Sequence, residues 1–191
     1  MLRVGIFGGG VVGGGVVELL QRHSSRLAAL GLAIEVTKLC VRDPSKPRDF
    51  ALPPRTQVVT GIDEILEDVS IGCVVEVIGG VTLARDIVLR AIRAGKHVVT
   101  ANKALIATHM DEITAALSSN PSATLSFEAA VCGGIPIIHS LQTDFVGDEV
   151  LRVMGIMNGT TNFMLSKMQD EGADYGPMLR EAQALGYVSQ S

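Results

Sequence analysis

No apolar run in this sequence approaches the ~20 residues that a membrane span needs, and glycines at positions 8–10 and 13–15 interrupt the apolar start, leaving no signal-peptide h-region. Positive charge is not clustered. The formal net charge is −4 with no basic block, which argues against nucleic acid as a partner. There are three cysteines, Cys40, Cys73 and Cys132. They are odd in number, far apart and set in apolar segments. That excludes a disulfide frame or a zinc site, and they read as reduced core residues of a cytoplasmic protein. His23, His97, His109 and His139 show no ligand spacing and read as surface or interface residues. Internal repeats and low-complexity segments are absent. What the chain does have is 21 glycines and a hydrophobic fraction of 47%, a composition suited to a buried parallel sheet with tight turns. Its 191 residues suffice for one domain, or one and part of a second.

The first twenty residues carry the strongest local pattern. Leu2, Val4, Ile6 and Phe7 form a short apolar run, six glycines follow within positions 8–15, and Val16, Val17, Leu19 and Leu20 come next. This is strand, glycine turn, helix. Gly8, Gly10 and Gly13 have the G-x-G-x-x-G spacing of a dinucleotide-binding unit. Gly8 permits the tight turn, Gly10 lets the backbone approach a pyrophosphate, and Gly13 lets the helix lie close on the strand. Free N–H groups and the positive end of the helix dipole then hold the phosphates.

Further along, a helix is expected to about Leu30, closed by Gly31. Ile34, Val36 and Leu39 to Val41 form a second strand. At its end a dinucleotide fold meets the adenosine ribose, where an acidic residue accepts from the 2′-hydroxyl of NAD. Here stand Arg42, Asp43, Lys46 and Arg48. A cation favours a 2′-phosphate, hence NADP over NAD; alternatively, Asp43 takes the ribose and the basic residues are a solvated loop. Pro44, Pro47, Pro53 and Pro54 make 43–56 a loop. A short strand over 57–60 and a short helix with Ile62, Ile65 and Leu66 precede an apolar strand, Cys73 to Ile78. Gly79 and Gly80 at its end leave room for a cofactor. A helix follows over about 82–94, with Thr82 as a candidate cap and Gly95 as its stop. The fifth strand, 97–101, delivers Asn102 and Lys103 to its C-terminal end, where open parallel sheets bind ligands. A lysine there stabilises an alkoxide or shuttles a proton, or else is a plain helix-start lysine in solvent. A sixth strand spans 123–127. Pro136 opens a helix with Ile137, Ile138 and Leu141 on its apolar face. Val150, Val153, Gly155 and Met157 read as a strand. The turn 158–162 either binds a small polar ligand or caps the next helix through Thr160 or Thr161. That helix carries Phe163, Met164, Leu165 and Met168, and a last one spans about 177–185 up to Gly186.

The chain closely resembles homoserine dehydrogenase. The matching segments are Gly8-Gly9-Gly10-Val11-Val12-Gly13, Val41-Arg42-Asp43, Thr100-Ala101-Asn102-Lys103-Ala104-Leu105-Ile106-Ala107, Phe127-Glu128-Ala129-Ala130-Val131, Gly134-Ile135-Pro136-Ile137-Ile138, Asn158-Gly159-Thr160-Thr161-Asn162-Phe163 and Glu181-Ala182-Gln183-Ala184-Leu185-Gly186-Tyr187. They run in family order along the whole chain, the Asn-Lys-Ala and Asn-Gly-Thr-Thr-Asn segments being the specific ones.

The expected architecture is α/β: a Rossmann-type doubly wound parallel sheet over residues 1–130, then the beginning of a second α+β domain over 131–191, for substrate binding and dimerisation. The resemblance implies an NAD(P)-dependent oxidoreductase interconverting L-homoserine and L-aspartate 4-semialdehyde in threonine, methionine and isoleucine synthesis. It implies cofactor binding by Phe7, Gly8, Gly10, Val11, Val12, Gly13, Arg42, Lys46, Ile78, Gly79, Gly80 and Lys103. Lys103 would be catalytic, between nicotinamide and substrate. Asn158, Gly159, Thr160 and Tyr187 would lie near homoserine. A monovalent cation such as Na+ would sit on Glu128, Val131, Gly133 and Ile135, largely through carbonyl oxygens. Family members continue well past the Leu-Gly-Tyr segment, and Ser189 stands where they carry a substrate-binding Glu. The chain is therefore expected to be truncated, impaired in catalysis by itself, and self-associating as a homodimer or larger assembly. The alternative reading is a non-catalytic NAD(P)-binding or assembly module.

Overall fold

Six strands line up in the order β3-β2-β1-β4-β5-β6, every neighbouring pair parallel. The structure is a computed structural model and describes residues 1–185. In chain order the elements are β1 (Leu2–Phe7), α1 (Val11–Arg22), α2 (Ser24–Ala29), β2 (Ile34–Cys40), β3 (Gln57–Val59), α3 (Asp63–Leu66), β4 (Cys73–Glu76), α4 (Thr82–Arg93), β5 (His97–Thr100), α5 (Lys103–Ser118), β6 (Leu125–Ser126), α6 (Ile137–His139), α7 (Gly159–Glu171) and α8 (Tyr175–Ala184). The chain divides into two units, Met1–Ile138 and the residues from His139 onward.

In the first unit the chain moves outward from β1 to β3, returns to the centre at β4 and moves outward again to β6. This is the doubly wound Rossmann order, with its switch point between β1 and β4. Strand side chains alternate between faces, and that alternation makes two apolar layers. Val4, Ile6, Val36, Leu39, Cys73 and Val75 pack with Val17 of α1. Phe7, Cys40, Val59, Val74 and Val98 pack with Ile87, Val88 and Ile92 of α4 and with Leu105 and Ile113 of α5. Each fully buried Ile, Leu or Val contributes about 1.5–3 kcal/mol, so sandwiching the sheet between helices is what fixes it. The Arg85 guanidinium ties α4 to α5 by donating twice to Glu112, through Nε at 2.6 Å and Nη2 at 2.5 Å.

Away from the ligand edge, just before β5, lies a buried cation. Lys96 is 4% exposed; its Nζ donates to the carbonyls of Asp68 (2.7 Å) and Ile71 (2.8 Å), and burial lowers its pKa. Asp68 in turn pairs with Lys38 at 2.7 Å and accepts from the Ser70 amide and hydroxyl. The bonds from Lys38 and then Ser70 hold its carboxyl far below the ordinary carboxylate range.

Several local expectations are corrected. The first helix is two, broken at His23 (φ −103°, ψ 14°). Thr82 does not cap α4; Val81 occupies the cap position, with no side-chain cap bond. Cys40 and Cys73 are buried but Cys132 is exposed, on a turn where it and Gly133 both have positive φ. The helix after Pro136 keeps α geometry only over Ile137–His139 and runs on as a wider π-helical turn, Ser140–Asp144, that includes Leu141.

In the second unit α7 and α8 pack through Met164, Met178 and Ala182, and Lys167 of α7 bridges to Glu181 of α8 at 2.7 Å. The strand expected around Val150 to Met157 is not formed. Its apolar side chains are exposed, Leu151 at 85% and Met154 at 80%. An apolar, β-branched run makes a strand only when a neighbour accepts the backbone bonds and a core accepts the side chains, and the described residues supply neither. Nor does Thr160 or Thr161 cap α7: Asn158 does, its Oδ1 accepting from the Thr161 amide at 2.9 Å. Among the described residues no helix is long and apolar enough to cross a membrane.

Candidate functional site

The turn from β1 into α1 shows why its glycines are glycines. Gly8 has φ +109°, and a Cβ there would come within 2.6 Å of the Val77 carbonyl oxygen. A Cβ on Gly13 would overlap the Gly8 carbonyl. These two positions are fixed by the protein's own packing. Gly10 differs: a Cβ there would meet nothing within 4 Å. It is the N-cap of α1, without a side-chain cap bond, so the first-turn N–H groups face open space. Val11 is 95% and Val12 53% exposed beside it. A cradle of bare amides at a helix start suits an anion, and residues 8–13 therefore fit a dinucleotide's pyrophosphate. Phe7 contributes only backbone here; its side chain is 1% exposed in the core.

The loop leaving β2 stands over the same edge of the sheet. The Asp43 carboxylate is held in a local turn, accepting from the Ser45 amide at 2.9 Å and hydroxyl at 2.6 Å, and these bonds lower its pKa. Arg48 fastens the loop by donating to the carbonyls of Asp43 (3.0 Å), Lys46 (3.0 Å) and Pro44 (3.3 Å). It lies against the glycine turn, since a Cβ on Gly9 would reach its Nε at 3.2 Å. Arg42 and Lys46 remain as exposed side chains on this loop.

The ends of β4 and β5 are joined by a buried polar circuit. Glu76 pairs in register with Phe7 on one side and Thr100 on the other, and it is 0% exposed. Its Oε1 accepts from the Ile78 amide at 3.0 Å and its Oε2 from the Thr100 hydroxyl at 2.7 Å. Thr100 Oγ1 accepts from the Asn102 amide at 3.0 Å. Asn102 Nδ2 donates to the Gly80 carbonyl at 2.6 Å, while its Oδ1 caps α5 by accepting from Leu105 at 3.1 Å. Gly79 and Gly80 both have positive φ, so the loop 78–80 turns sharply back to meet Asn102. Lys103 is the next residue, the first of α5, and exposed.

The fold thus gathers the glycine turn, Arg42, Lys46, loop 78–80 and Lys103 along one edge of one sheet. Residues 128–138 form a separate looped segment in which Glu128 Oε1 accepts from the Ile138 amide at 2.9 Å. Asn158, Gly159 and Thr160 open α7 in the second unit. Tyr187 lies outside the described residues.

Residues 8–125, most of the first unit, match the family model described as "Homoserine dehydrogenase, NAD binding domain". The chain belongs to the homoserine dehydrogenase family. A second homoserine dehydrogenase model matches residues 136–191. The chain is similar to the homoserine dehydrogenase of Synechocystis sp., with 45% identity over 98% of this chain and 42% of that protein. It is also similar to the crystal structure of a homoserine dehydrogenase from Thiobacillus denitrificans, at TM-score 0.88 and 41% identity, over the whole of this chain and 44% of that one. A hyperthermophilic archaeal homoserine dehydrogenase in complex with NADPH has a TM-score of 0.80 at 25% identity, with 63% of that chain covered. The chain spans less than half the length of the Synechocystis and Thiobacillus homoserine dehydrogenases.

Two residues at this ligand edge do not stand out in the sequence: Glu76 closes an apolar run and Thr100 precedes an Ala. Arg48 stands among the loop cations in the sequence, yet its two Nη groups already donate to carbonyls. An acidic residue ending a β-branched strand was the available signal for Glu76, because a carboxylate on a central parallel strand has no route to water.

Proposed function

We propose that this chain is the cofactor-binding part of a homoserine dehydrogenase, together with the opening of its substrate-binding and dimerisation part from residue 131 onward. The observation that carries this is the open space over Gly10, bounded by Gly8 and Gly13, whose packing tolerates no side chain. The α1 amides would hold the pyrophosphate, and loop 78–80 would border the nicotinamide end, where Gly79 and Gly80 add no side chain. Arg42 and Lys46 meet a 2′-phosphate. The Ser45 turn already engages Asp43 Oδ1, which favours the cations over Asp43 as the cofactor's partners here. The preferred cofactor is therefore NADP rather than NAD. The Asn158–Thr160 start of α7 and Tyr187 contribute to the homoserine site. A monovalent cation such as Na+ would be held by Glu128, Val131, Gly133 and Ile135, largely through carbonyl oxygens, which suit a hard ion. The exposed apolar segment around Leu151 supports self-association.

When bound, the nicotinamide supplies or accepts the hydride exchanged with the carbon that is aldehyde in aspartate semialdehyde and alcohol in homoserine. Lys103 supplies positive charge at that oxygen, where its ammonium stabilises developing negative charge and passes a proton. Its backbone is fixed by Asn102, so the contribution of the protein is placement and charge.

Titrating the chain into NADPH and into NADH, followed by nicotinamide fluorescence, tests this reading. Saturable binding with NADPH the tighter ligand is expected. Absence of binding to either rejects it.

A further inference from the structure

We infer that Glu76 is a positioning residue that couples the nicotinamide-side loop to the turn bearing Lys103; this rests on the dinucleotide-binding reading above. The carboxylate touches neither cofactor nor substrate. It works through a closed circuit: Glu76 to the Ile78 amide, along the chain to Gly80, from the Gly80 carbonyl to Asn102 Nδ2, from the Asn102 amide to Thr100 Oγ1, and from the Thr100 hydroxyl back to Glu76.

The circuit holds two loops that leave adjacent strands. Without it, each would be held by its own strand and the helix that follows, but not to the other. Loop 78–80 contains two positive-φ glycines and so resists wandering weakly. The turn after β5 carries the residue whose ammonium must meet the substrate oxygen. A displacement of about 1 Å between them costs catalysis heavily.

The chemistry requires a carboxylate, not merely a buried side chain of that size. Both groups facing Glu76 are donors, the Ile78 N–H and the Thr100 O–H. Thr100 cannot reverse its role, because its oxygen already accepts from the Asn102 amide and its proton needs an acceptor. An amide at position 76 would set an NH2 against one of the two donors and open the circuit. A carboxylate, with two acceptor oxygens and no donor, closes it. Burying a charge is costly unless it is fully bonded, and here each oxygen takes a bond.

The test compares Glu76→Gln, Thr100→Val and Thr100→Ser with the wild-type chain against two probes, NADPH and adenosine 2′,5′-bisphosphate. The second probe has the phosphate-bearing adenosine end but no nicotinamide. The expected result is that E76Q and T100V weaken NADPH about tenfold, because the loop beside the nicotinamide is no longer held ready for it, and alter the emission of bound NADPH. The adenosine probe should bind all variants alike, and T100S should restore wild-type NADPH binding. If E76Q does not fold, T100V opens the same circuit. Equal weakening of both probes, or NADPH binding unchanged in both E76Q and T100V, overturns the positioning role. A wild-type chain that binds neither probe overturns the dinucleotide reading itself and with it this inference.

Discussion

The missing Cβ of Gly13 is the space that the Gly8 carbonyl oxygen occupies. Helix α1 therefore approaches the end of β1 as closely as backbone can, and its first amides are brought over the sheet edge. Gly10, three residues earlier, carries no such constraint. The two glycines should separate experimentally. Gly13→Ala is expected to lower stability by more than about 2 kcal/mol, since backbone has to move. Gly10→Ala is expected to keep the wild-type urea midpoint and to weaken NADPH binding at least about tenfold, because the added methyl enters only the anion's space. Urea melts paired with fluorescence titrations check both.

Arg42 is expected to set cofactor choice. Replacing it with Ala removes a charge-assisted contact to the 2′-phosphate and none to NAD, so NADPH affinity should fall about tenfold or more while NADH affinity stays constant. The ratio of the two dissociation constants is the measurement. Equal losses for both cofactors would return Arg42 to the role of a solvated loop residue.

Lys103 should matter for rate far more than for cofactor binding. In a protein competent for the reaction, Lys103→Met is expected to reduce NADPH oxidation with aspartate semialdehyde by about 100-fold or more, with a smaller change in NADPH affinity. Steady-state kinetics beside a binding titration distinguish this from a structural effect.

Acid should destabilise the first unit in a traceable way. Asp68 is held far below the usual carboxylate range by Lys38 and Ser70, and Glu112 is lowered by Arg85. An unfolded Asp titrates at about 3.9. A group depressed in the folded state contributes its full stability above that value and loses it as pH falls toward the folded value. Urea midpoints should hold from pH 7 to about 5 and decline below about 4. Asp68→Asn should lower the plateau and flatten the decline.

Lys96 should prove structural. Lys96→Met leaves the Asp68 and Ile71 carbonyls without their donor in a buried place, a loss of about 1–3 kcal/mol. Asn158→Ala removes the α7 cap and should cost the second unit about 1 kcal/mol. Thermal melts of each variant check these.

What was readable from sequence is what local chemistry writes. The glycine spacing, the β-branched runs and the helix-ending Gly31 and Gly95 each encode their own geometry, so the doubly wound class and the ligand edge followed. The Glu76–Thr100 bond depends on the register of two strands 24 residues apart, which no local pattern states. The segment around Val153 failed for the opposite reason: its apolar residues are plentiful, but a strand is a property of a pair. The break at His23 has no local signal that separates it from continuous helix, since apolar Leu19 and Leu20 lie before it and Leu27 after it.

Lys103 grows from a rigid root beside buried Asn102 and ends in solvent. An arriving substrate oxygen would therefore need to quench only the torsions of one side chain, about 2 kcal/mol of rotamer freedom, with the main chain already still. The reach of that ammonium is adjustable while its anchorage is not, so one lysine would follow the oxygen as its carbon changes from trigonal to tetrahedral, without any loop having to travel with it.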